Sequence, residues 1–186
     1  MAKDGKSRLF IALNLPPKVK ESLAILLTKL KNYDRLVKWC QPEGLHLTLH
    51  FLGEIGSQTE RDVTAALESL AGKFGALEFK LGALGAFPNL SKPKVIFIQC
   101  RQVNGDAVYR LQNELGEKLK QLKLTVDFRA WRAHITLGRV KSGLEASLPE
   151  NLALPSGNFI INSFELMESE LKPIGAAYRK IASFKL

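Results

Sequence analysis

Leu45-His-Leu-Thr-Leu-His-Phe-Leu52 and Ala133-His-Ile-Thr-Leu-Gly-Arg139 share one short pattern, a histidine and a threonine one residue apart in an apolar run. His46 and His134 are two of only three histidines in the chain, and with six threonines among 186 residues a given histidine meets a threonine two places on by chance about 3% of the time. A shared role therefore outweighs coincidence. Leu45 to Leu52 alternates apolar and polar residues as a half-buried strand does, so His46 and Thr48 face the same way, roughly 6.6 Å apart along the chain. Each motif offers an imidazole beside a hydroxyl.

Working outward, residues 8–15 read as a strand, and Pro16-Pro17 then suits the start of a helix over about 17–32. Val19, Leu23, Leu26, Leu27 and Leu30 recur there at helical spacing. Gly53 and Gly56 are expected to end the strand of the first motif. Ser57-x-x-Glu60 resembles a capping box opening a second helix with Val63, Ala66, Leu67 and Leu70 as its core stripe. Residues 77–87 look extended.

The order then repeats: a strand at 94–100, a helix at about 105–122, and the strand holding His134. Phe10 precedes His46 by 36 residues and Phe97 precedes His134 by 37, so the two β-α-β stretches match in order and nearly in length. A stretch rich in Pro, Gly and Ser, 142–157, leads to a strand at about 158–171 and a last one at about 177–185, joined by a turn containing Pro173 and Gly175. The expected architecture is α+β, one domain of two similar lobes with internal repeats at about 8–87 and 94–171. Each lobe would be a sheet with helices on its outer face, and a pseudo-two-fold would leave the site in the cleft between them.

At 186 residues and 46% hydrophobic composition the chain can bury a sizeable core without staples. No run approaches the ~20 apolar residues of a membrane span, and the first eight residues meet a strand without a signal-peptide core, so a soluble, cytoplasmic protein is expected. Cys40 and Cys100 fit buried free thiols. A net charge of +9 and a pI near 9.6 favour polyanionic partners, nucleic acid first. The basic residues are scattered without long runs, so charge alone does not decide it.

Two imidazoles and two hydroxyls facing one small volume suit phosphodiester displacement. One histidine takes a proton from the nucleophile, the other protonates the leaving oxygen, and the hydroxyls hold the non-bridging oxygens. A pKa near 6.5 lets either ring play either part. By alternation His50 shares the face of His46 and Thr48, but it has no threonine two residues on and reads as flanking. A metal bridging His46 and His50 is excluded by the roughly 13 Å a strand puts between them. There is no Gly-x-Ser-x-Gly elbow, P-loop or dinucleotide fingerprint.

The chain resembles the 2H phosphoesterase superfamily, most closely its RNA 2′,3′-cyclic phosphodiesterases, once called 2′-5′ RNA ligases. Arg8-Leu-Phe-Ile-Ala-Leu, Leu45 to Glu54, Leu84-Gly-Ala-Phe-Pro88, His134 to Arg139 and Glu168 to Tyr178 fall in that family's order and spacing, nearly end to end. The resemblance implies hydrolysis of a terminal 2′,3′-cyclic phosphate on RNA to a 2′-phosphate. His134 would activate water and His46 would protonate the departing 3′ oxygen, with Thr48, Thr136 and Arg139 on the phosphate. Strict alternation puts Arg139 opposite His134, so its role needs the strand to twist or end near Gly138. Phe10 and Phe51 are candidates to stack on a base, though alternation sets Phe51 on the face away from His46, where a core position is the plainer reading. Trp39 and Trp131 read as core fillers. No metal or cofactor is expected, and no membrane. The partner is RNA ending in a cyclic phosphate, with nucleotides such as ATP left open, and the chain is expected to act as a monomer. The alternatives are 2′-5′ RNA ligase activity and a non-catalytic RNA-binding module.

Overall fold

A computed structural model describes residues 5–33, 36–127, 129–141, 152–172 and 175–186. The chain runs β1 (Lys6–Asn14), α1 (Pro17–Tyr33), β2 (Val37–Trp39), a 3-10 turn (Pro42–Gly44), β3 (His46–Gly56), α2 (Ser57–Glu68), β4 (Leu77–Phe87), β5 (Val95–Gln102), α3 (Ala107–Gln121), β6 (His134–Val140), β7 (Asn158–Ile161), β8 (Ser163–Lys172) and β9 (Gly175–Lys185). It is an α+β protein built on an antiparallel sheet. Much of the 142–157 stretch and Pro173 of the last turn lie outside the described residues.

The strands follow the order β7-β4-β5-β6-β3-β1-β8-β9, with β2 added beside β6. Two separate sheets were expected; instead the groups of four strands join into one, because β3 and β6 pair antiparallel through Leu47 and Ile135. The two motifs are thus neighbours in a sheet. The expected strand at 158–171 is two strands split at Asn162, since β7 pairs β4 at one edge while β8 pairs β1 in the other half. β4 likewise lies on β5, not on β1. Each sequence repeat therefore gives its last strand to the other's half of the sheet.

Odd-numbered residues of β1, Leu9, Ile11 and Leu13, join Leu23, Leu27 and Leu30 of α1, Val63 and Leu67 of α2 and Leu111, Leu115 and Leu119 of α3 in one large core. Helix stripes at 3.6-residue spacing meet strand faces at two-residue spacing, and this burial supplies most of the stabilisation. The even-numbered Phe10 and Ala12 turn to the other face and cluster with Met167. That face carries the site.

Two local expectations change. Gly53 does not end the strand: at φ +73 it lets β3 kink and continue to Gly56, a conformation that costs glycine nothing. β3 then passes straight into α2, whose N-cap is Gly56 with no side-chain hydrogen bond, so Ser57 begins the helix and caps nothing. Among the described residues no helix is long and apolar enough to cross a membrane.

Candidate active site

A bulge in each motif strand sets the site. Along β3, Ala12 pairs with Thr48 but Ile11 pairs with His50, so Leu49 is the extra residue. Along β6, Phe97 pairs with Thr136 but Ile96 pairs with Gly138, so Leu137 is extra at the matching place. A bulge inserts one residue and reverses the alternation beyond it. His50 therefore turns to the helix side, and Phe51 and Arg139 turn back to the face of the histidines.

The consequences are visible in each side chain. His50 is 4% exposed and donates from Nε2 to the Gln112 carbonyl of α3 at 2.7 Å. It lies away from the cavity, and the bulge, not the missing threonine, turns it there. Phe51, expected in the core, is 63% exposed and lines the cavity. Arg139 lines it too. Phe10 goes the other way: it is 2% exposed, with its ring 4.8 Å from His46 and 5.4 Å from Tyr178 between centroids. It reaches the cavity wall with little exposed surface, and its ring packs on His46 and Tyr178.

The cavity measures about 360 Å³, and His46, Thr48, Thr136, Arg139, Phe51 and Tyr178 are among its walls. His46 lies 2.7 Å by Nδ1 from the Gly44 carbonyl and 3.1 Å by Nε2 from the Thr48 hydroxyl. A carbonyl can only accept, so Nδ1 carries the proton and Nε2 presents its lone pair to the threonine. His134 repeats half of this, with Nδ1 2.6 Å from the Arg132 carbonyl. His134 is not itself a wall of the cavity, but its charge bears on His46. In both motifs the proton is anchored to the backbone two residues upstream.

Burial lowers the pKa of His46 from 6.5 to about 4, against the pull of the Gly44 bond, and the charges of Lys20 and His134 push the same way. His134 is also lowered, first by burial and then by Arg139, with the Arg132 bond opposing. The neutral form of His46 is therefore favoured at pH 7 in the free protein, and burial favours the neutral form of His134 in the same direction. Cys100 is buried and its thiol is pushed up to about 12, while the half-buried Cys40 lines the cavity. Among the described residues no group of three or more His, Cys, Asp or Glu side chains could hold a metal ion.

The model of the 2′-5′ RNA ligase superfamily matches residues 19–173. The chain belongs to this superfamily. Curated relatives named RNA 2′,3′-cyclic phosphodiesterase include one from Archaeoglobus fulgidus, 32% identical over 96% of this chain and 99% of its own length. One from Thermus thermophilus is also 32% identical, over 96% of this chain and 90% of its own length. The crystal structure of TT0787 from Thermus thermophilus superposes with a TM-score of 0.83 at 31% identity, covering 96% of this chain and 97% of that one. Escherichia coli LigT, solved with 3′-AMP, shares the fold at a TM-score of 0.77 and 23% identity, over 97% and 98% of the two chains.

In this member of the superfamily several supporting residues escape the sequence. Tyr178 meets His46 edge-on at 5.1 Å, and Phe87 and Phe97 meet His134 edge-on at 5.2 and 5.1 Å. Trp131 is more than a core filler, because its indole N–H donates to the Thr48 carbonyl at 2.9 Å and ties the approach to β6 onto β3. Trp39 does pack on the core. A Cβ on Gly44 would stand 2.9 Å from the Tyr178 ring, so any larger residue there would force the ring to shift. Only tertiary pairing reveals these contacts; Phe97 alone had a signal, its place matching Phe10 in the repeat.

Proposed function

We propose that this protein hydrolyses the terminal 2′,3′-cyclic phosphate of RNA to a 2′-phosphate, using His46 and His134 as an acid–base pair without a metal ion. The observation that carries the reading is the matched clamp on each motif histidine, Nδ1–H held by a carbonyl two residues upstream on two adjacent strands. Each Nε2 is then the atom left to exchange a proton. The names of the curated relatives support the same activity.

His134 takes a proton from water as its oxygen attacks phosphorus, the bond from phosphorus to the 3′ oxygen breaks, and His46 delivers a proton to that oxygen. Thr48 and Thr136 donate to the non-bridging oxygens and Arg139 adds a guanidinium suited to that anion. Phe51, exposed at the cavity wall, is the platform for the terminal base. The two roles come from the family resemblance, since both histidines carry the same Nδ1–H clamp. An approximate two-fold between the halves of the sheet, mapping repeat 8–87 onto 94–171, is supported by the strand order, the matched bulges and the exchange of β4 and β8. The protein would act as a monomer in the cytoplasm.

The test is direct. In EDTA the purified protein should convert an RNA oligonucleotide ending in a 2′,3′-cyclic phosphate to the 2′-phosphate, and His46→Ala or His134→Ala should each slow this by roughly 10²–10⁴. No turnover until metal is added would overturn the metal-free mechanism, and a 3′-phosphate product would reverse the assignment of the broken bond.

A further inference from the structure

The cavity holds one more cation than the reacting phosphate needs. Arg139 already joins Thr48 and Thr136 there, yet Arg8 of β1 is also a wall residue, beside Gly53, Ser169 and Tyr178. Along β1, Ala12 pairs with Thr48 while Arg8 pairs with Glu54, so Arg8 starts four residues, roughly 13 Å, beyond the threonine level. Phe10, on the same face, fills the space between, its ring packed on His46 and Tyr178. The Tyr178 phenol feels the charges of both Arg139 and Arg8, so both guanidiniums lie within electrostatic reach of one ring on the cavity wall.

Arg8 is exposed, and among the described residues it forms no ion pair. Glu54, its neighbour across the strand pair, is exposed as well and is not part of the cavity wall. A guanidinium with no ion pair among the described residues, facing a cavity and set apart from the reacting end by an aromatic ring, is a second position for an anion. A nucleoside cyclic phosphate has one phosphate and cannot reach both. RNA of two or more nucleotides brings a second.

We propose that Arg8 is a phosphate subsite for the phosphodiester joining the terminal nucleotide to the one before it, so that this residue makes the protein prefer an RNA end over a free cyclic mononucleotide. The subsite rests on the RNA-end reading above. Its guanidinium gives two parallel donors to a phosphodiester, a pairing Lys reproduces in charge but not in geometry.

The measurement is the ratio of kcat/KM for a dinucleotide ending in a 2′,3′-cyclic phosphate to that for the matching nucleoside 2′,3′-cyclic phosphate, in wild type, Arg8→Gln and Arg8→Lys. The same ratio is read as Kd for the corresponding 2′-phosphate products. Arg8→Gln should lower both ratios about tenfold, the low end for losing a charge-assisted hydrogen bond at an exposed site. It should also flatten the salt dependence for the dinucleotide by about 0.7 in log–log slope, one phosphate contact on a single strand. Arg8→Lys should keep that slope and recover part of the ratio. Ratios unchanged in Arg8→Gln, or both substrates weakened equally, would overturn the subsite. If wild type turned over neither substrate, the cyclic-phosphate reading would fail by itself, and the Kd ratio would still decide whether Arg8 binds a second phosphate.

Discussion

His46 should titrate near pH 4 in the free protein, well below the 6.5 of an unperturbed imidazole. The perturbation is burial against Phe10 and Tyr178, which strips water from the charged ring faster than the Gly44 carbonyl compensates. A gap of this size, at 1.36 kcal/mol per unit, makes the folded state bind fewer protons than the unfolded chain between pH 6.5 and 4. The contribution of His46 to stability is therefore fully present above pH 6.5 and is lost as pH falls through 4. Between pH 7 and pH 5 that loss comes to about 2 kcal/mol. Two assays read it. The His46 Cε1–H resonance, assigned with His46→Gln, should shift with a midpoint near pH 4, and urea unfolding at pH 7 and 5 should show wild type losing about 2 kcal/mol more than His46→Gln. A midpoint between 6 and 7, with the same acid sensitivity in both proteins, would refute the claim that burial governs this ring.

His50→Ala should cost about 1–3 kcal/mol in urea unfolding by deleting a buried ring and its bond to the Gln112 carbonyl, while turnover survives at temperatures where the variant stays folded; activity as low as in His46→Ala would put His50 back in the site. Gly44→Ala should push the Tyr178 ring from its place beside His46 and lower kcat about tenfold or more, with circular dichroism unchanged. If kcat holds, Tyr178 does not help position His46.

The helices and most strands were legible because their apolar periods are long: α1 and α3 carry four buried core positions each at helical spacing, and β1 alternates cleanly between Leu9, Ile11, Leu13 and Phe10, Ala12. β2 was not, since three residues are too few to show a period. The split of 158–171 depends on which strands β7 and β8 join, a choice made by partners far along the chain. His46, Thr48, His134 and Thr136 were legible as a repeated pattern. Phe51 and His50 were misplaced for one physical reason: alternation holds only in an unbroken strand, and the extra residue at Leu49 lies in the pairing of β3 with β1, not in β3 itself. The same device at Leu137 turns Arg139 toward the site. The condition set on Arg139, a twist near Gly138, is thereby met one residue earlier.

The two bulges make the motifs alike, and what surrounds them makes the histidines differ. His46 has Lys20 in electrostatic reach, and the Lys20 ammonium donates to the Glu43 carbonyl in the turn that also supplies the carbonyl of Gly44. With a pKa of about 4, His46 holds a proton in only about one molecule in a thousand at pH 7. A general acid cannot work at that occupancy unless substrate raises it. Bringing the ring to half protonation at pH 7 takes about 4 kcal/mol, and a phosphate anion about 4 Å away supplies about 4 kcal/mol at the effective dielectric of a protein surface. In the proposed reaction the substrate's own charge is therefore enough to arm His46. The same burial then helps, because a ring that holds its proton against solvent loss only while the anion is present gives it up readily once negative charge moves onto the departing oxygen. Inorganic phosphate, bound without reaction, should raise the His46 midpoint by roughly two to three units. A midpoint unmoved by saturating phosphate would separate His46 from the anion and assign the acid to His134.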